Sequence, residues 1–133
     1  MDQKYTCWSE IGLFIIRFSA VIVIIFIIIL YKKDSFQQEL TDKTHNKYIE
    51  QGDVLVKYYA PWCHYCNEFD PKFKKLGKLL KGKVKTAKLN ADKYEMKFVE
   101  SFPTLIFYPK NGDPIKYDGE RSIKKIIEFV EKN

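Results

Sequence analysis

Residues 54–66 read VLVKYYAPWCHYC, an apolar strand that runs straight into a Cys-x-x-C pair. Two cysteines three apart, where a strand hands over to a helix, can close a small disulfide and reopen it. A helix N-terminus concentrates unpaired N–H groups and positive dipole character on the first sulfur. That field favours thiolate over thiol, and thiolate is the attacking species in disulfide exchange. The local sequence therefore suits electron and disulfide transfer better than structural cross-linking. With 3 cysteines in 133 residues the chain is not a disulfide-stapled scaffold.

The surrounding residues sharpen this reading. Ala60-Pro61-Trp62-Cys63-His64-Tyr65-Cys66 closely resembles the active-site motif of thioredoxin-fold proteins. Its Tyr-Ala-Pro-Trp-Cys form is most similar to the catalytic domains of protein disulfide isomerases. Ser101-Phe102-Pro103-Thr104 resembles the cis-proline loop of that family, and Tyr117-Asp118-Gly119-Glu120-Arg121 resembles the end of its last strand and the following loop. The resemblance covers residues 40–133. It implies an α/β thioredoxin fold, a central mixed β-sheet flanked by helices, and thiol–disulfide oxidoreductase activity of the disulfide-isomerase type.

On that resemblance Cys63 is the exposed nucleophile and Cys66 the resolving thiol, joined as the redox disulfide Cys63–Cys66. Protein substrates containing cysteine would be engaged by mixed disulfides. Trp62 would shield the sulfurs, and Tyr65, Phe102, Pro103 and Thr104 would join it at the substrate-binding surface. Pro103 is expected in the cis form, with backbone beside it that offers strand-like hydrogen bonds to a peptide. A charged His64 would stabilise the Cys63 thiolate; the alternative is a solvent-facing His without redox effect. Arg121 matches a loop arginine thought to swing toward the resolving cysteine, with a surface salt bridge as its plainer role.

Lys57 departs from the pattern. It stands where the family usually carries a buried Asp or Glu, thought to take the proton from the resolving cysteine. Buried, a lysine would lose its charge more easily and act as a base; charged, it would stabilise thiolate; turned outward, it would leave the role vacant.

The other strong feature is Ile11 to Tyr31, IGLFIIRFSAVIVIIFIIILY, apolar apart from Arg17. As a helix this stretch spans about 31 Å, the thickness of a bilayer core. Arg17, about 9 Å in from Ile11, could snorkel to the headgroups. Trp8 and Tyr31 flank the stretch as interfacial aromatics do. The rival reading is a cleaved signal peptide, but residues 32–37 offer no small-x-small cleavage site. The expected layout is an N-terminal tail over 1–10, a transmembrane signal anchor over 11–31, a linker over 32–39 and the thioredoxin domain over 40–133. Lys32 and Lys33 after the span argue for a cytosolic domain by the positive-inside rule. Arg17 and the redox chemistry argue for the lumenal or extracytoplasmic side, where disulfides persist. The second orientation is the expected one. Cys7 would then lie across the membrane from Cys63 and Cys66.

The remaining elements follow from periodicity. A helix is expected over 40–51, ended near Gly52, then a strand over 54–60. A long helix over 63–80 is kinked at Pro71, and an alternating strand covers 84–90. A short helix over 94–101, a hairpin across Asn111-Gly112 and a last helix from Ser122 complete the chain. The whole chain carries +6. Most of that lies after residue 33, about +4, too little to argue for nucleic acid as a partner. Lys72, Lys74, Lys75, Lys78 and Lys81 crowd the long helix and read as a solvated face, or as a contact for anionic lipid. No cofactor is expected beyond the sulfurs themselves. A metal site built from Cys63, Cys66 and His64 or His45 lacks a convincing four-ligand set. The principal alternative to an enzyme is a tethered client-binding module whose redox turnover is weak because of Lys57.

Overall fold

The computed structural model describes residues 20–27 and 37–133. The chain divides into two compact units, 1–35 and 36–133. In the first, residues 20–27 are helical and their apolar side chains are exposed. The rest of the expected span over Ile11–Tyr31, with Arg17, Trp8 and Cys7, lies outside the described residues. No helix among the described residues is long and apolar enough to cross a membrane.

The second unit is built on a five-stranded mixed sheet of order β1-β3-β2-β4-β5. Its strands are β1 (Gln38–Leu40), β2 (Val54–Tyr59), β3 (Lys85–Asn90), β4 (Thr104–Tyr108) and β5 (Ile115–Tyr117). β1, β3 and β2 run parallel, β4 runs antiparallel to β2, and β5 closes the hairpin on β4. The helices are α1 (Asp42–Ile49), α2 (His64–Leu79) and α3 (Ile123–Lys132).

β2 is central and covered on both faces, which is why it reads as a near-continuous apolar run. Val54, Val56 and Tyr58 pack on one face with Leu40, Leu89 and Ile106, and Tyr48 and Ile49 of α1 lie against them. Leu55 packs on the other face with Phe69, Phe73 and Leu76 of α2 and Ile126 and Val130 of α3. Ser122 caps α3 by accepting the Lys125 N–H at 3.3 Å. Pro71 lies inside α2, which continues unbroken to Leu79.

Three local expectations need correction. The sheet extends into the stretch read as linker: Gln38, Glu39 and Leu40 pair with Ala87, Lys88 and Leu89. The helix expected from residue 40 begins at Asp42, because Thr41 forms a reciprocal cap with Thr44. The helix expected over 94–101 is replaced by irregular turns. Glu95 adopts a left-handed φ of 45°, which a continuing right-handed helix excludes. The turns let Tyr94, Met96 and Val99 all pack on the sheet, which a single helical stripe would not present together.

Candidate active site

Cys63 is the N-cap of α2, and its backbone is extended. Its N–H donates to the Ala60 carbonyl at 3.1 Å, which fixes the turn out of β2. Its carbonyl accepts from the Cys66 and Asn67 N–H groups at 3.1 and 3.2 Å. Its Sγ accepts the Cys66 N–H at 3.2 Å. A sulfur therefore does what a Ser or Asp oxygen does at ordinary helix starts, namely accept an orphan amide of the first turn. Both cysteines are free thiols.

The two sulfurs are not equivalent. Cys63 is 6% exposed and Cys66 1%. Cys63 is thus the more open of the pair, yet it is less exposed than the sequence suggested. Ala60, Tyr59 and Phe102 pack around both cysteines. Burial pushes the Cys66 thiol up to about 11, and its contact with Cys63 adds to that rise; Lys57 acts in the opposite sense.

Lys57 does not turn outward. It is 1% exposed, in the middle of β2, opposite Lys88 of β3 and Leu105 of β4. Its Nζ lies 5.3 Å from the centre of the Tyr59 ring and 5.4 Å from that of Phe73. The ammonium donates to the Asp70 carboxylate of α2, whose side chain remains 34% exposed. Burial pushes Lys57 down to about 8, while negative charge on Cys66 would raise it. Asp70 was not singled out from sequence. Its signal was its spacing: four residues after Cys66, it occupies the same face of α2, the face turned to β2.

The other candidate residues surround this centre unevenly. His64 is exposed, and its Nε2 is 3.1 Å from Glu68 on the helix surface. Tyr65 and Trp62 are exposed, and the Trp62 ring stands edge-on to Phe102 at 5.7 Å. The Phe102–Pro103 peptide is cis. The Arg121 Nη2 donates to the Pro103 carbonyl at 3.0 Å, tying the loop before α3 to the proline loop. Thr104 donates its hydroxyl to the Ser101 carbonyl at 2.6 Å and fixes the same loop from the other side. His45 lies apart from the cysteines: its Nε2 is 2.5 Å from the Tyr58 hydroxyl, and Tyr58 and Tyr108 belong to the core on the α1 side of the sheet.

The thioredoxin family matches residues 32–132. The chain belongs to the thioredoxin family. It is 40% identical over 91 residues to a protein disulfide-isomerase of Schizosaccharomyces pombe, a match covering 62% of this chain and 25% of that protein. It is 34% identical over 101 residues to the protein disulfide-isomerase of Humicola insolens, covering 68% of this chain and 20% of that protein. The matched region thus spans a quarter or less of these two curated relatives. Among solved structures, the first thioredoxin domain of mouse protein disulfide-isomerase A4 is 32% identical with a TM-score of 0.64, covering 71% of this chain and 72% of that one. The Trx4 domain of ERdj5 is 27% identical with a TM-score of 0.66, covering 72% and 93%. The domain therefore resembles the thioredoxin domains of the disulfide-isomerase family in sequence and in fold.

Proposed function

We propose that this chain is a thiol–disulfide oxidoreductase that acts on cysteine-containing proteins through mixed disulfides. The observation that carries the reading is the capping of α2 by the Cys63 sulfur. A sulfur that faces helix N–H groups is suited to hold negative charge and to attack a disulfide. Cys63 attacks a substrate disulfide, forms a Cys63–substrate bond and releases the first substrate thiolate. Cys66, one turn deeper, then attacks Cys63 Sγ, closes the Cys63–Cys66 disulfide and releases the second substrate thiolate. Trp62, Tyr65 and Phe102 supply an aromatic surface, and the backbone at Pro103 and Thr104 supplies hydrogen-bonding groups for an extended peptide. Arg121 holds the proline loop through its bond to the Pro103 carbonyl. His64 tunes the site weakly, since Glu68 answers it.

A second reading is a client-binding module with weak turnover. Lys57, buried where the family usually has a carboxylate, favours it. Reduction of insulin by the purified chain separates the two: sustained catalytic turnover supports the enzyme, and binding without turnover supports the module.

The proposal includes a membrane anchor formed by Ile11–Tyr31, with the domain on the lumenal or extracytoplasmic side. Its support is the length and composition of that stretch. Carbonate extraction is expected to leave the full chain, with its methionine-proximal peptide intact, in the membrane pellet. A soluble product beginning after Tyr31 would contradict the anchor.

A further inference from the structure

Cys66 must lose a proton before it can attack, and the position where the family usually keeps a carboxylate is filled by Lys57. The carboxylate nearest that position comes instead from α2. Asp70 accepts from the Lys57 ammonium, is four residues on from Cys66 on the same helix face, and reaches water at its outer edge. We propose that Asp70, acting through Lys57, is the proton acceptor for Cys66 in the step that resolves the mixed disulfide. This rests on the thiol–disulfide exchange proposed above.

The step balances as follows. The Cys66 S–H proton passes to Lys57 as Lys57 passes one of its own to Asp70. The ammonium is regenerated and the carboxylate becomes a carboxylic acid. The electron pair left on Cys66 forms the bond to Cys63 Sγ. The bond between Cys63 and the substrate sulfur breaks, and its pair leaves on the substrate thiolate. Asp70 then releases its proton to water. Lys57 keeps a positive charge beside the developing thiolate throughout, which a lone carboxylate could not do.

The surroundings suit a lysine in this role. The Tyr59 and Phe73 rings both lie within cation–π distance of Nζ. The second nearby cation, Lys88, is answered by Glu39 at 2.9 Å, and Glu39 also accepts the Tyr59 hydroxyl at 2.8 Å. Lys74 is the remaining charged group that acts on Lys57. Cys63 acts on Cys66 from the other side. Burial leaves Lys57 at about 8, so it is protonated at neutral pH yet gives up its proton readily.

The test mixes the reduced full chain with a glutathionylated peptide, quenches with acid, and follows mixed-disulfide formation and resolution separately by mass spectrometry. In the wild type, resolution is expected to vary little with pH across the neutral range, because the acceptor is internal. Asp70→Asn is expected to slow resolution about 100-fold at neutral pH, the low end of what a positioned acid or base contributes. Its rate then climbs with hydroxide, about tenfold per pH unit, so the gap closes about two units above neutral, below the value of about 11 at which Cys66 itself titrates. Asp70→Glu keeps the wild-type profile, and formation of the mixed disulfide is unchanged in both variants. An Asp70→Asn profile that superimposes on wild type overturns the proposal. So does an Asp70→Glu variant as slow as Asp70→Asn, which would mark a packing role. If the wild type forms no mixed disulfide, the proposed function itself falls, an outcome separate from either of these.

Discussion

The Cys66 N–H donates to the Cys63 Sγ at 3.2 Å, so the second cysteine of the pair caps the sulfur of the first. Burial and contact with Cys63 both keep the proton on Cys66 itself. The reduced chain treated with limiting iodoacetamide at neutral pH is therefore expected to carry one label, on Cys63. Peptide mapping by mass spectrometry reads the site directly. Labelling of Cys66 first would mean that burial does not order the two thiols as described.

Lys57 gives a stability signature. Its folded value of about 8 lies below the ordinary 10.5. Between those values the unfolded chain binds a proton that the folded chain does not, so stability rises with pH across that window. Below about 8 both states bind the proton, and the cost of burying the ammonium is carried in full. Relative to Lys57→Met, the wild type is expected to gain up to ~3 kcal/mol as pH rises through the window. Cys66 titrates in the opposite sense, but it is present in both proteins and largely cancels. Urea unfolding of the two proteins on either side of the window measures the difference.

A second buried network stands on the other face of the sheet. His45 Nδ1 lies 3.0 Å from the Asn46 side-chain oxygen, and its Nε2 shares a hydrogen bond with the Tyr58 hydroxyl at 2.5 Å. The Tyr58 hydroxyl also shares a hydrogen bond with the Tyr108 hydroxyl at 2.6 Å. Burial pushes both phenols upward. Tyr58→Phe strips partners from two buried groups and is expected to cost ~1–3 kcal/mol. Because this network faces away from α2, disulfide exchange is expected to be unchanged. Paired urea unfolding and insulin-reduction assays check both halves of the expectation.

What the sequence made legible follows physical lines. β2 and α2 were readable because a doubly covered strand is continuously apolar and because Leu76, Leu79 and Leu80 read as an inner helix face; Leu76 and Leu80 are buried as expected, whereas Leu79 faces solvent. The family motif carried the cysteines, and the hairpin followed from Asn111-Gly112. β1 was missed because only Leu40 of its three residues is buried; its strand character comes from pairing with β3, not from its own pattern. The turns over 94–101 were missed because Glu95 takes its left-handed conformation under tertiary packing, with no glycine to announce it. Lys57 was seen as an anomaly, but its answer lies 13 residues away on another element. Residue type flagged the vacancy, and only the packing of α2 on β2 brings Asp70 to it.

The central claim is that Cys63 attacks and Cys66 resolves. It is tested most directly by trapping. Cys66→Ala and Cys63→Ala variants of the full chain are expressed where the chain normally resides, lysed under acid quench, and run on non-reducing gels beside wild type. Cys66→Ala is expected to accumulate reductant-sensitive adducts through Cys63, because the mixed disulfide forms and has no resolving thiol. Cys63→Ala is expected to accumulate none. Equal trapping by both variants, or trapping by Cys63→Ala alone, would contradict the assignment of the two sulfurs.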